Sequence, residues 1–185
     1  MNRRAKASAG SRSAKASTSA KAPADRSAER TIVGLISDTH GLLRPNVASV
    51  LAGVDLILHA GDVGGRGVLQ ALRQIAPVEA VYGNVDDPHD PDLAAERSVT
   101  VGGVTIHLSH GHEVGRPTPA LLLARYQGDV IVFGHTHRAV VVRGDGNRLA
   151  VNPGAAGPRR FDPQPSVARL IIESGSAVVE IISLA

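Results

Sequence analysis

Seven side chains able to bind a divalent cation recur at matching points along this chain. They are Asp38 and His40 in "SDTHG" (37–41), Asp62 in "HAGDVG" (59–64), Asn84 in "YGNVD" (82–86), His110 in "LSHGHEVG" (108–115), and His135 and His137 in "VFGHTHR" (132–138). Each ends or follows a short apolar run, with glycine close by. A buried strand that ends on a carboxylate needs water, a counter-charge or a metal to receive it. Nitrogen and oxygen donors without sulfur favour manganese, iron, nickel, zinc or cobalt over calcium or copper(I). Seven donors exceed the needs of one ion with an open position and suit two ions sharing a carboxylate. Each motif alone is a weak signal. Their common position at successive strand ends makes the joint signal strong.

The elements that must carry these residues follow from the apolar pattern. Strands are expected at 32–37, 55–60 and 78–82, with helices at about 45–52 and 66–75 between them, a βαβαβ rhythm that implies parallel pairing. Arg97–Val101 and Val104–His110 flank Gly102-Gly103, a two-residue hairpin turn. A helix is expected at about 118–127, with Thr118 as N-cap and Pro119 in the first helical position. Strand 129–133 follows, then segments 139–143, 148–152, 167–172 and 177–183, read as antiparallel strands. An α/β start and a β-rich end fit two sheets packed face to face with helices outside. In open α/β sheets, sites form beyond the carboxyl ends of the strands. In extended backbone, residues i and i+2 share a face, so Asp38 pairs with His40 and His135 with His137.

Composition narrows the alternatives. The 185 residues suit one globular domain and contain no cysteine, which excludes thiolate sites, cysteine nucleophiles and disulfides. No apolar run nears the roughly 18 residues of a membrane span, and no signal-peptide core is visible. A cytoplasmic location is expected. Residues 1–30 hold eight Lys/Arg against two Asp/Glu, whereas residues 31–185 hold twelve Arg against fifteen Asp/Glu. The basicity therefore belongs to an Ala/Ser/Lys/Arg-rich tail, expected to be disordered. The body is mildly acidic and only 2% of the chain is aromatic, so nucleic acid is not an expected partner.

With "VNPGA" (151–155), the quoted segments resemble the calcineurin-like metallophosphoesterases, and within them the small single-domain YfcE-like phosphodiesterases. The resemblance runs in order through essentially all of 31–185. It implies an αββα sandwich of two mixed β-sheets with flanking helices. It also implies two divalent ions, manganese first, with nickel, iron, zinc or cobalt as substitutes. By similarity Asp38, His40 and His137 hold one ion, Asn84, His110 and His135 hold the other, and Asp62 bridges. The implied reaction is hydrolysis of small phosphodiesters, with phosphomonoesters as further candidates, by a metal-bridging hydroxide. A homo-oligomer is left open. Many superfamily members carry a histidine after Gly-Asn that is thought to protonate the leaving group. Val85 stands there, as in the YfcE-like subgroup, so the proton donor is unassigned. The same fold also serves as a metal-poor scaffold in the retromer coat. That relative departs at the bridging aspartate and the asparagine, both of which this chain keeps.

The other polar residues have plainer readings. His112 is either a substrate contact and proton donor or a loop residue. His59 is expected to hydrogen-bond a ligand carboxylate or backbone, and His107 to be a half-exposed strand residue. His89 reads as loop, Arg66 as a solvated helix start or a phosphate contact, and Arg159-Arg160 as surface or the rim of the site.

Overall fold

Short runs of Val, Ile and Leu build two five-stranded sheets, and each strand's alternation decides which layer it faces. The computed structural model describes residues 30–159 and 163–185. The first sheet has the order β10-β9-β1-β2-β3. Its strands are β1 (Thr31–Ile36), β2 (Leu56–His59), β3 (Val78–Ala80), β9 (Ser166–Glu173) and β10 (Ser176–Ser183). The second has the order β4-β5-β6-β8-β7. It contains β4 (Glu96–Val101), β5 (Val104–Ser109), β6 (Val130–Val132), β7 (Val140–Arg143) and β8 (Leu149–Asn152).

Three apolar layers result. Val33, Leu35, Leu58, Ile106, Leu108, Val130, Val132, Leu170 and neighbours fill the space between the sheets. The outer face of the first sheet packs on α1 (Val47–Val50) and α2 (Arg66–Leu72) through Ile36, Ile57, Leu51 and Leu69. The outer face of the second packs on α3 (Pro119–Arg125) through Leu122, Ile131 and Phe133. This is the expected sandwich of two mixed sheets with flanking helices.

Several local expectations hold. β1, β2 and β3 are parallel. Gly102 and Gly103 turn the β4–β5 hairpin with φ of 55° and 80°, as a type I′ turn requires. Thr118 caps α3, its hydroxyl accepting from the Leu121 amide at 3.3 Å. Other expectations change. The segment 148–152 is antiparallel to β7 but parallel to β6, because the β7 excursion carries the chain back across the sheet edge before β8 begins. Only four residues of the 45–52 segment are helical. Asn46 supplies no side-chain cap there, and Gly53 at φ 75° turns the chain away. α2 stops at Leu72, its continuation closing as turns on Leu72 ahead of Pro77. The tail expectation for residues 1–30 falls, except for Arg30, outside the described residues, as does Arg160. Among the described residues, no helix is long and apolar enough to cross a membrane.

Candidate metal centre

All seven predicted donors lie at the carboxyl ends of β1, β2, β3, β5 and β6, where both sheets end on one side. The loops that carry them are bonded to one another through the backbone. Asp38 and His40 donate their amides to the carbonyls of Gly61 and Asp62 at 3.0 and 2.9 Å. Gly134 donates to the His110 carbonyl at 3.1 Å, and Ala156 donates to that of Ser37 at 2.9 Å. Asn152, fully buried in "VNPG", donates from Nδ2 to the Gly134 carbonyl at 2.7 Å and to the Thr136 hydroxyl at 3.1 Å.

The side chains converge in two sets. In the first, Asp38, His40, Asp62 and His137 each aim one donor atom into a space where those atoms all lie within 4.8 Å of one another. His137 Nε2 is 3.1 Å from Asp38 Oδ1 and 3.3 Å from His40 Nε2, and His40 Nε2 is 3.7 Å from Asp62 Oδ2. In the second, Asn84 Oδ1 is 3.2 Å from His110 Nε2 and 3.0 Å from His135 Nδ1, while Asp62 Oδ1 is 3.4 Å from His110 Nε2. Asp62 therefore turns one oxygen toward each set.

A cation suits the first set on two counts. Asp38 is fully buried, and its Oδ1 has no hydrogen-bond partner. Its other oxygen accepts from the Ser37 hydroxyl at 2.5 Å. The Nε2 atoms of His40 and His137 also meet across 3.3 Å, where either one ring donates to the other or both lone pairs face a shared cation. The second set resembles the first in chemistry. His110 Nδ1 donates to the Ala60 carbonyl at 2.7 Å, which leaves the Nε2 lone pair facing Asp62 and Asn84, the usual orientation of a ligating histidine.

Burial and neighbouring charges oppose one another on the carboxylate and imidazoles here. Burial would raise the Asp62 carboxyl, but the His110 imidazole and the Val85 amide hold it down to about 2. Burial likewise opposes charge on His110, and its hydrogen bond to the Asp62 carboxylate with the charge of Asp38 carries it above its ordinary value. Burial and then the neighbouring His110 push His112 down.

Backbone strain marks the same residues. Seven non-glycine residues among those described have positive φ, and five of them are Asp38, His40, Asp62, His135 and His137. Left-handed backbone at such residues costs roughly 1–3 kcal/mol each and gathers at functional sites. The expected extended geometry at Asp38–His40 and His135–His137 is therefore wrong: Asp38 and His40 still converge on the first set, but His137 joins that set while His135 faces Asn84 in the second. The left-handed turns, not strand alternation, aim these side chains.

His112 begins a short 3₁₀ turn, His112–Val114, with its ring centroid 5.3 Å from His110 and 6.4 Å from His135. It stands beside the second set without joining it. His59 bonds neither a ligand carboxylate nor backbone: its Nε2 meets the Thr39 hydroxyl at 2.9 Å. That hydroxyl donates onward to the Val63 carbonyl at 2.8 Å, so His59 is the donor to Thr39. His107 is buried rather than half-exposed, because Tyr126 stacks on its ring with centroids 3.9 Å apart. Arg66 begins α2, exposed and paired with Asp90 at 3.3 Å, while His89 and Arg159 are exposed loop residues.

Known proteins resemble this chain in sequence and fold. The calcineurin-like phosphoesterase superfamily domain matches residues 32–175. A probable metallophosphoesterase of Methanothermobacter thermautotrophicus is 34% identical over 150 residues, which is 75% of this chain and 86% of that protein. The phosphodiesterase YfcE of Escherichia coli K12 is 33% identical over 144 residues, 64% of this chain and 76% of that protein. Among solved structures, Vps29 of Entamoeba histolytica complexed with Zn²⁺ aligns with a TM-score of 0.66 at 27% identity, over 84% of this chain and 100% of that one. By sequence, strand order and the convergence of loops at one end of the sandwich, the chain belongs to the calcineurin-like phosphoesterase superfamily.

Proposed function

We propose that this protein hydrolyses small phosphodiesters, and phosphomonoesters as a secondary class, with the help of two divalent cations. The observation that carries the reading is Asp62, whose two oxygens face two separate donor sets. Asp38, His40 and His137 with Asp62 Oδ2 would hold one ion, and Asn84, His110 and His135 with Asp62 Oδ1 the other. Paired divalent ions, when bound, lower the pKa of water and stabilise the attacking and leaving oxygens of an in-line phosphoryl displacement.

The chain's own residues set up that chemistry. Ser37 fixes one oxygen of Asp38 and leaves the other directed into the site. The Ala60 carbonyl fixes the His110 tautomer. Asn84 and Val85 are exposed, so substrate meets the second set from the solvent side. His112 stands next to it as a substrate contact or proton donor. The donor chemistry supports manganese, with nickel, iron, zinc and cobalt able to replace it. The reading includes a cytoplasmic protein that acts without nucleic acid or membrane, as one copy or as a homo-oligomer, with residues 31–185 as its catalytic domain.

The alternative is a protein-binding scaffold of the Vps29 kind. The complete donor set, Asp62 and Asn84 included, favours the enzyme. Asp62→Ala should abolish turnover of an aryl phosphodiester and lower bound metal, with the fold retained by circular dichroism. Full activity in that variant refutes the two-ion reading, and a wild-type protein inert on every phosphoester tested with each metal favours the scaffold.

A further inference from the structure

The mechanism leaves one carboxylate beside the site without a role, and its bonding is unlike that of its neighbours. Asp86 ends "YGNVD" two residues after Asn84 and is only partly buried. Its Oδ2 accepts from the amides of Val63 at 3.0 Å and Gly83 at 2.9 Å, and its Oδ1 accepts from the Gly64 amide at 2.8 Å. Val63 directly follows Asp62, and Gly83 directly precedes Asn84. A single side chain thus grips the loop after β2 and the loop after β3 at the residues adjoining two of the proposed ligands.

We infer that Asp86 is a positioning residue that holds Asn84 in register with Asp62 and so sets the affinity of the second ion. This rests on the two-ion reading. The selectivity follows from what else holds each loop. Asp62 keeps its place without Asp86, because Asp38 and His40 donate to the Gly61 and Asp62 carbonyls and Gly41 donates to Val63 at 2.8 Å. The Asn84 loop has fewer ties of this kind. Apart from the contacts of the Asn84 side chain itself with His110 and His135, the side chains that hold the amides flanking Asn84, among the described residues, are Asp62, whose Oδ1 accepts from Val85 at 3.1 Å, and Asp86, whose Oδ2 accepts from Gly83. Three charge-assisted bonds to one carboxylate also fix it more firmly than neutral bonds would. In Asp86→Asn an amide N–H replaces one oxygen and points at a backbone N–H, so part of the tie is lost at constant size.

The test is Mn²⁺ titration by calorimetry, with the electron paramagnetic resonance signature of a coupled Mn²⁺ pair as a second readout, on wild type, Asp86→Asn and Asp87→Asn. Asp87 is the control: it carries the same charge in the same loop, but among the described residues its carboxylate accepts only from the His89 amide of that loop, at 2.9 Å. In Asp86→Asn the first ion should bind within about threefold of wild type and the second about 10–100-fold more weakly, the usual range for losing a residue that supports a ligand. The coupled signal should vanish at two equivalents, and Asp87→Asn should match wild type. Unchanged uptake of both ions by folded Asp86→Asn overturns the inference. So does equal weakening of both ions, or the same loss in Asp87→Asn. Amide exchange in the unaltered metal-free protein decides the point even if Asp86→Asn does not fold. The Val63, Gly64 and Gly83 amides should exchange at least about tenfold below the free-chain rate, and free-chain exchange there overturns the tie. If wild type takes up fewer than two ions, the two-ion reading falls instead, and exchange at these three amides still decides for or against the tie.

Discussion

Replacing Gly61 by alanine would move His110 without substituting any of the seven donors. Gly61 sits at φ 87°, and a Cβ there would lie 2.6 Å from His110 Nδ1 and 2.8 Å from its Cβ and Cγ. Ordinary contact begins near 3.4 Å, so the imidazole must give by about 0.6–0.8 Å. His110 is fully buried and held by its 2.7 Å bond to the Ala60 carbonyl, so the movement strains that bond and turns Nε2 off the second donor set. Gly53→Ala separates the two costs. Gly53 has φ 75° with nothing within 4 Å of its Cβ position, so it carries the backbone cost alone, about 1–2 kcal/mol. Scaled to a domain of this size, that cost lowers Tm by roughly 2–8 °C. Gly61→Ala should lose at least as much stability. It should also lose about 10²-fold in kcat/KM on an aryl phosphodiester, the scale of a 1 Å misplacement, while Gly53→Ala keeps wild-type activity. Thermal melts and initial rates on both variants suffice. Gly61→Ala with wild-type kcat/KM would refute the reasoning, because His110 would then not need its present position.

Three further outcomes are expected. Val85, 55% exposed, cannot protonate a leaving group, and a general acid is worth about 10²–10⁴-fold. Rates should therefore fall steeply across diesters of rising leaving-group pKa, and a flat series in wild type that turns steep in His112→Ala would instead make His112 the donor. Burial holds His59 at about 4 instead of 6.5, so between these values the unfolded chain binds more protons, and stability falls as pH drops through that window and levels off below it. The difference between wild type and His59→Gln in denaturant melts of metal-free protein isolates this loss, about 3 kcal/mol in all, from His110, whose raised value adds stability as pH falls; a flat difference contradicts it. A chain beginning near Arg30 should fold and turn over a phosphodiester at the full-length rate, because no proposed donor precedes Asp38; a large loss of rate would show that residues 1–29 contribute to the site.

Much of the fold was legible because its determinants are local. Apolar runs of strand length, the Gly102-Gly103 turn and the Thr118-Pro119 helix start need no tertiary information. The donors were legible because carboxylates and imidazoles at the ends of buried strands have no cheap alternative explanation. What stayed hidden depends on partners distant in sequence. The parallel pairing of β8 with β6 is set by where the β7 excursion returns, and apolar pattern does not report strand direction. His107 alternates like a half-exposed residue until Tyr126, far along the chain, stacks on it. The left-handed turns at Asp38, His40, Asp62, His135 and His137 are a minority conformation even for Asp and His, which adopt it more readily than other non-glycine residues, so residue type alone does not predict them. The three-amide bond of Asp86 left only a faint sequence trace, an aspartate two residues past the asparagine.

The account turns on whether Asp62 serves two ions, and anomalous diffraction at the manganese edge from crystals grown with Mn²⁺ measures this directly. The result predicted is two peaks about 3.5–4 Å apart, one ringed by Asp38, His40 and His137, the other by Asn84, His110 and His135, with an Asp62 oxygen on each. A single peak, or two peaks with Asp62 touching only one, would contradict it.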